Sequence, residues 1–212
     1  MEYPVIIFGA NHFGRTAKEI FESNEIVVYG FLDDNKKLHL TEIDEVVVLG
    51  STDDDGFLKL IGKKCAAFVA VDDNKMRRSL VNMLKDVRHV QPVNATHKNA
   101  LLSPMTKIGH GNLFDIGFTS GPGSEIGRHC ILGAKSHVGA ESILGNFVQV
   151  GSGAILNAGV TIEDEVFIGS GAIIVSGVTI GEAARIGAGS VVIGPVKAGQ
   201  TVFGNPAQPV KS

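Results

Sequence analysis

His137 and Glu141 stand four residues apart, and an imidazole beside a carboxylate is the combination that takes a proton from an attacking nucleophile. Two readings are open for His137: a general base that Glu141 orients across one turn, or a structural histidine bonded to a backbone carbonyl. His110 and His129 lie in the same region, and solvated surface positions are expected for both. A second group gathers near the amino terminus. Gly9 and Gly14 bracket Ala10-Asn11-His12-Phe13, and a glycine-flanked turn between strand and helix lets a phosphate approach backbone amides. Asp33-Asp34, at the end of an apolar run, is placed to receive hydroxyl or N–H donors of a nucleoside. Each has a plain counterpart: a tight turn, a polar strand end, a solvent-facing His12. Cys65 and Cys130 fall in different regions, so structural thiols are expected, with no disulfide or metal site.

These residues are carried by two halves with different periods. In the first, short β-branched runs at 4–8, 26–32, 45–49 and 66–71 read as buried parallel strands. Helical patterns at 14–23 (Ala17, Ile20, Phe21) and 74–85 (Met76, Leu80, Leu84) alternate with them. A small Rossmann-like α/β domain over residues 1–89 follows, and the period changes to six at residues 90–212. Stepping by six from Ile108 to Val192 meets Ile, Leu or Val at thirteen of fifteen positions, and ten of the fifteen are followed by Gly. Such hexapeptides build a β-helix, three to a triangular coil of 18 residues, with the glycines expected to supply unusual corner angles. Within a coil the aliphatic residue points in and its predecessor points out.

One outward column is therefore Thr119, His137, Ile155, Ile173 and Val191, spaced by 18. Three consecutive β-branched residues facing out form an apolar stripe, a signal for association. A homotrimer of three-sided prisms is expected, the alternative being a stripe covered by the C-terminal tail. The net charge of −3 and pI near 6.1 give no electrostatic footprint for nucleic acid or an anionic membrane. Without an apolar run of spanning length or a basic leader, a cytoplasmic chain is expected.

The unbroken hexapeptides and the closing Gly204-Asn205-Pro206-Ala207 resemble the left-handed β-helix acyltransferases. The segments 9–15, Phe31-Leu32-Asp33-Asp34 and Asp73-Asn74 narrow the resemblance to the family of sialic acid O-acetyltransferases (NeuD) and PglD-type sugar N-acetyltransferases. The resemblance implies a transferase that moves an acetyl group from acetyl-CoA to the amine of a nucleotide-linked (UDP or dTDP) amino sugar in bacterial surface glycan synthesis. It implies that Asn11, His12 and Phe13 line the diphosphate, Asp33 and Asp34 hold the base, and Gly50 approaches the sugar nucleotide. Acetyl-CoA is expected against the upper coils between subunits, at Gln149, Ser170 and Ala188.

The chain also departs from that pattern. The family's His-acid pair falls on Ala140-Glu141, so the acid is kept and the base is not. Gly171 stands where related acetyltransferases carry another histidine, and Asn11-His12 replaces Gly-Gly or Gly-His. Candidate catalytic residues are therefore His137 and Glu141. An amine bound unprotonated needs a base less than an alcohol does, which favours N- over O-acylation. A sialic acid type O-acetyltransferase using His137 and a catalytically silent nucleotide-sugar-binding protein remain as alternatives.

Overall fold

The computed structural model describes residues 3–210, which form two compact units, Met1–Lys98 and Asn99–Ser212. The first unit follows the expected alternation: β1 (Val5–Phe8), α1 (His12–Ser23), β2 (Val28–Leu32), β3 (Glu42–Ile43), β4 (Val46–Gly50), α2 (Asp55–Leu58), β5 (Ala66–Val69) and α3 (Asn74–Arg88). The sheet order is β3-β4-β2-β1-β5, parallel except for the antiparallel pair β3–β4. Successive strand side chains alternate between faces. Ile6, Phe8, Leu32, Ala67 and Val69 share one core with Val81 and Leu84 of α3. On the other face Phe21 of α1 meets Phe68 edge-on, with ring centroids 5.7 Å apart. Burying such side chains contributes roughly 1.5–3 kcal/mol each. The short elements β3 and α2 carry too little periodicity to be read from sequence. The unit continues past residue 89 because Val90 N–H bonds to Leu84 O and Val93 N–H to Ala67 O.

The second unit is a left-handed parallel β-helix. Its first wall stacks the two-residue strands that begin at Leu101, Thr119, His137, Ile155, Ile173 and Val191. The second wall stacks those at Lys107, Glu125, Ile143, Thr161 and Thr179. The third includes Leu113, Ile131, Gln149, Phe167, Arg185 and Thr201, and ends in a hairpin with Ala207–Pro209. Inside, the aliphatic column runs from Ile126 to Val192 with small residues such as Cys130, Ala154 and Ala172 between. Cys130 is buried and unbridged, as expected, and Cys65 likewise. Ser120, which breaks the aliphatic beat, is accommodated by hydroxyl bonds: Thr106 Oγ1 lies 2.8 Å from Ser120 Oγ and 3.0 Å from Ser124 Oγ.

The repeat glycines act differently from expectation. The glycine directly after each aliphatic residue does not adopt a left-handed backbone. A Cβ on Gly139 would sit 2.5 Å from the Ala158 amide nitrogen of the next coil, so close stacking of coils demands glycine there. The left-handed residue comes two positions later, at Gly171 (φ +67°) and equally at Glu141 (φ +58°), where nothing about stacking forbids a side chain.

Candidate active site

The first wall brings His137 directly above Thr119 and directly below Ile155. His137 Nδ1 lies 2.7 Å from Thr119 Oγ1, while Nε2 has no protein partner among the described residues. The expected bond to Glu141 is not formed. His137 stands on the first wall, whereas Glu141 lies in the turn that leads from it to the second wall at Ile143. Glu141 is exposed, and its backbone amide donates to Pro122 O at 3.0 Å. The side-chain partner of His137 that the sequence did not reveal is Thr119. The signal was present in the 18-residue spacing of the outward column, which stacks the two side chains.

His110 and His129 correct a second expectation, since neither is a solvated surface residue. His129 is 4 % exposed. The His110 ring packs edge-on to it at 4.8 Å, its Nδ1 buried without a hydrogen-bond partner. Burial first, and the nearby Arg128 guanidinium second, hold His110 below the ordinary imidazole value. The coil-to-coil spacing of a β-helix, about 4.8 Å, draws corner side chains onto one another: Phe147 in turn stacks on His129 at 5.0 Å.

The residues expected to meet acetyl-CoA fall in two environments. Ser170 and Ala188 are exposed and stack at the corner between third and first walls, with Gly189 N–H bonded to Ser170 O at 2.9 Å. Gly171 and Gly189 beside them are exposed, and a Cβ on either would meet open space. Gln149 sits on the third wall, below Phe167 and above Ile131, and is only 9 % exposed. It is not brought to the face that carries His137.

In the first unit the expected residues lie at the carboxyl ends of the parallel strands, where the strand order runs from β1 to β2 on one side and to β5 on the other. Asn11 caps α1: its Oδ1 accepts from the Phe13 and Gly14 amides at 2.9 and 3.1 Å. Gly9 (φ +100°) permits the turn, and a Cβ there would lie 2.7 Å from Ala70 O. Gly14 passes so close to the Gly9 carbonyl that no side chain fits. Both carboxylate oxygens of Asp33 are engaged, accepting from the Ala10 and Asn35 amides at 2.8 Å each. Asp34 Oδ1 receives the Thr52 amide and hydroxyl at 2.9 and 2.8 Å, leaving Oδ2 available. Gly50 is buried and accepts from the Asp33 amide at 2.9 Å. His12 is exposed, its ring 4.2 Å from that of Phe13. Asp33 is therefore chiefly a brace for the turn, and Asp34, His12 and the first turn of α1 are the accessible groups.

A Rossmann-like domain joined to a three-walled coil of hexapeptides defines a hexapeptide acyltransferase. Family models match in that order: the PglD N-terminal domain over residues 4–84, the hexapeptide repeat of succinyl-transferase over 125–162, and the bacterial transferase hexapeptide over 159–194. The chain thus carries a PglD N-terminal domain followed by hexapeptide transferase repeats. Among solved structures it resembles a histidine variant of perosamine N-acetyltransferase from Caulobacter crescentus in complex with CoA and GDP-perosamine. The TM-score is 0.91 at 27 % identity, covering 99 % of this chain and 97 % of that one. WeeI from Acinetobacter baumannii gives 0.85 at 27 % identity, covering 98 % and 99 %. The acetyltransferase domain of PglB from Neisseria gonorrhoeae, with acetyl coenzyme A, shares the fold, with a TM-score of 0.88 at 24 % identity over 99 % and 100 %. No curated protein matches by sequence. No helix among the described residues is long and apolar enough to cross a membrane.

Proposed function

We propose that this chain transfers the acetyl group of acetyl-CoA to the amine of a nucleotide-linked amino sugar, serving bacterial surface glycan synthesis in the cytoplasm. The observation that carries this reading is the likeness along the whole chain, both units at once, to an enzyme whose complex holds CoA and GDP-perosamine. The amino terminus of α1 and the unpartnered Asp34 Oδ2 support nucleotide binding at the strand ends, with Asn11, His12 and Phe13 beside the diphosphate and Gly50 beside the sugar. The exposed corner at Ser170 and Ala188 supports binding of the pantetheine arm. The buried Gln149 is the least favoured of the three expected CoA contacts.

Working outward from His137, the chemistry is as follows. The neutral amine attacks the thioester carbon, forming the C–N bond while Nε2 takes a proton from the attacking nitrogen. The tetrahedral intermediate collapses with cleavage of the C–S bond, and the imidazolium returns its proton to the leaving thiolate, giving free CoA and the amide. Holding amine and thioester together supplies up to about 7–11 kcal/mol of the acceleration; a base adds about 10²–10⁴-fold. The reaction site is read as lying between subunits of a homotrimer packed through the first wall.

The test is release of free CoA thiol from acetyl-CoA with a panel of GDP-, UDP- and dTDP-linked amino sugars and with sialic acid. Turnover with an amino sugar nucleotide is expected. Turnover with sialic acid alone would replace the amine by a hydroxyl acceptor. No release with any acceptor, despite CoA binding, would establish the silent protein instead.

A further inference from the structure

The first wall carries a polar pair in an otherwise aliphatic column: Leu101 below, Thr119 and His137 in the middle, Ile155, Ile173 and Val191 above. We infer that Thr119 is the positioning residue for His137, replacing the carboxylate partner that Glu141 fails to provide; this rests on the proposed transferase reading. The imidazole is fixed by a single bond, Nδ1 to Thr119 Oγ1 at 2.7 Å, and both residues are half-buried. Each stands on a two-residue strand whose neighbouring inward residue is buried, so the wall fixes both backbones.

A hydroxyl both donates and accepts. When Nδ1–H donates to Oγ1, the lone pair of Nε2 faces outward and removes a proton. When the hydroxyl donates to Nδ1, Nε2 carries the hydrogen and faces outward as a donor. The first form serves the base throughout: the imidazolium keeps Nδ1–H on Oγ1 while Nε2 carries the proton taken from the amine. A carboxylate would lock the first form and compensate the imidazolium charge. Thr119 offers no charge, and its contribution is orientation. An acceptor amine, which needs less help than an alcohol, suits such a base.

The experiment uses the full chain with acetyl-CoA and the amino sugar nucleotide that turns over fastest. Thr119→Val keeps the β-branched shape on the wall and removes the hydroxyl; Thr119→Ser keeps the hydroxyl. The inference expects Thr119→Val to lower kcat about tenfold or more with KM nearly unchanged, and Thr119→Ser to restore most of the rate. In a His137→Asn background, Thr119→Val should have no further effect, because Thr119 acts through the imidazole. Equal losses in both backgrounds, or a Thr119→Val rate equal to wild type, would overturn it. A ¹⁵N spectrum of the His137 ring gives a readout independent of turnover. The Nδ1–H form should be populated in the wild-type protein and diminished in Thr119→Val. An unchanged ring spectrum sinks the inference, whereas absence of turnover in wild type sinks only the transferase reading.

Discussion

A histidine on a flat β-helix wall has few ways to be held still, and the neighbour one coil below is the natural one. His137→Ala is expected to reduce kcat by about 10²-fold or more if Nε2 is the base; a rate within twofold of wild type in a CoA-release assay ends that assignment. Glu141 makes the opposite prediction. Its side chain makes no hydrogen bond or ion pair among the described residues, and its left-handed backbone costs a non-glycine residue about 1–2 kcal/mol. Glu141→Gly should therefore leave kcat nearly unchanged and hold or slightly raise the melting temperature, while a large loss of rate would restore the carboxylate to the mechanism. His110 adds a pH dependence. Its folded form resists protonation, because burial and then Arg128 disfavour the charged ring. The unfolded chain binds that proton below about pH 6.5, so stability is full above this value and declines as the pH falls through it. Thermal melts of wild type and His110→Gln at about pH 7.5 and about pH 5.5 should show a smaller difference for the variant.

The elements explain why glycine recurs and which glycines matter for what. Gly139→Ala places a methyl against the backbone of the next coil and should destabilise by about 1–3 kcal/mol, as over-packing does. Gly171→Ala meets open space, and its loss comes from the left-handed backbone alone. Urea unfolding of the two variants separates the effects: a further Gly139→Ser change should worsen the first, whereas Gly171→Asn, tolerated in that conformation, should nearly restore the second. The strands of both units were legible because continuous apolar runs and a period of six are written in side-chain polarity. The paired short elements β3 and α2 were not, and neither was the bond of Asp33 to Ala10. That bond joins residues 23 apart, and only the sheet order brings them together.

At the scale of the molecule, the outward Ile155, Ile173 and Val191 remain on the first wall, and the described C-terminal hairpin extends the third wall rather than covering them. Ile173→Asp is expected to dissociate the assembly without unfolding it, read as a change from trimer to monomer mass by light scattering. A wild-type protein that is already monomeric at micromolar concentration would refute association through this wall. If the site is shared between subunits, the Ile173→Asp monomer should also lose turnover while still binding nucleotide through its first unit.

The hexapeptide spacing by itself determined the walls, the inward and outward faces and the vertical stacking of Thr119, His137 and Ile155, because an 18-residue coil leaves no freedom of register. The expectation that a base should stand at Ala140 came from the family resemblance, not from the spacing. Tertiary structure alone decided the partners. His137 and Glu141 stand only four positions apart yet do not bond, whereas one coil's rise brings Thr119 within 2.7 Å across eighteen. Hydrogen bonds form at contact distance, and in a coil contact runs between turns rather than along the chain.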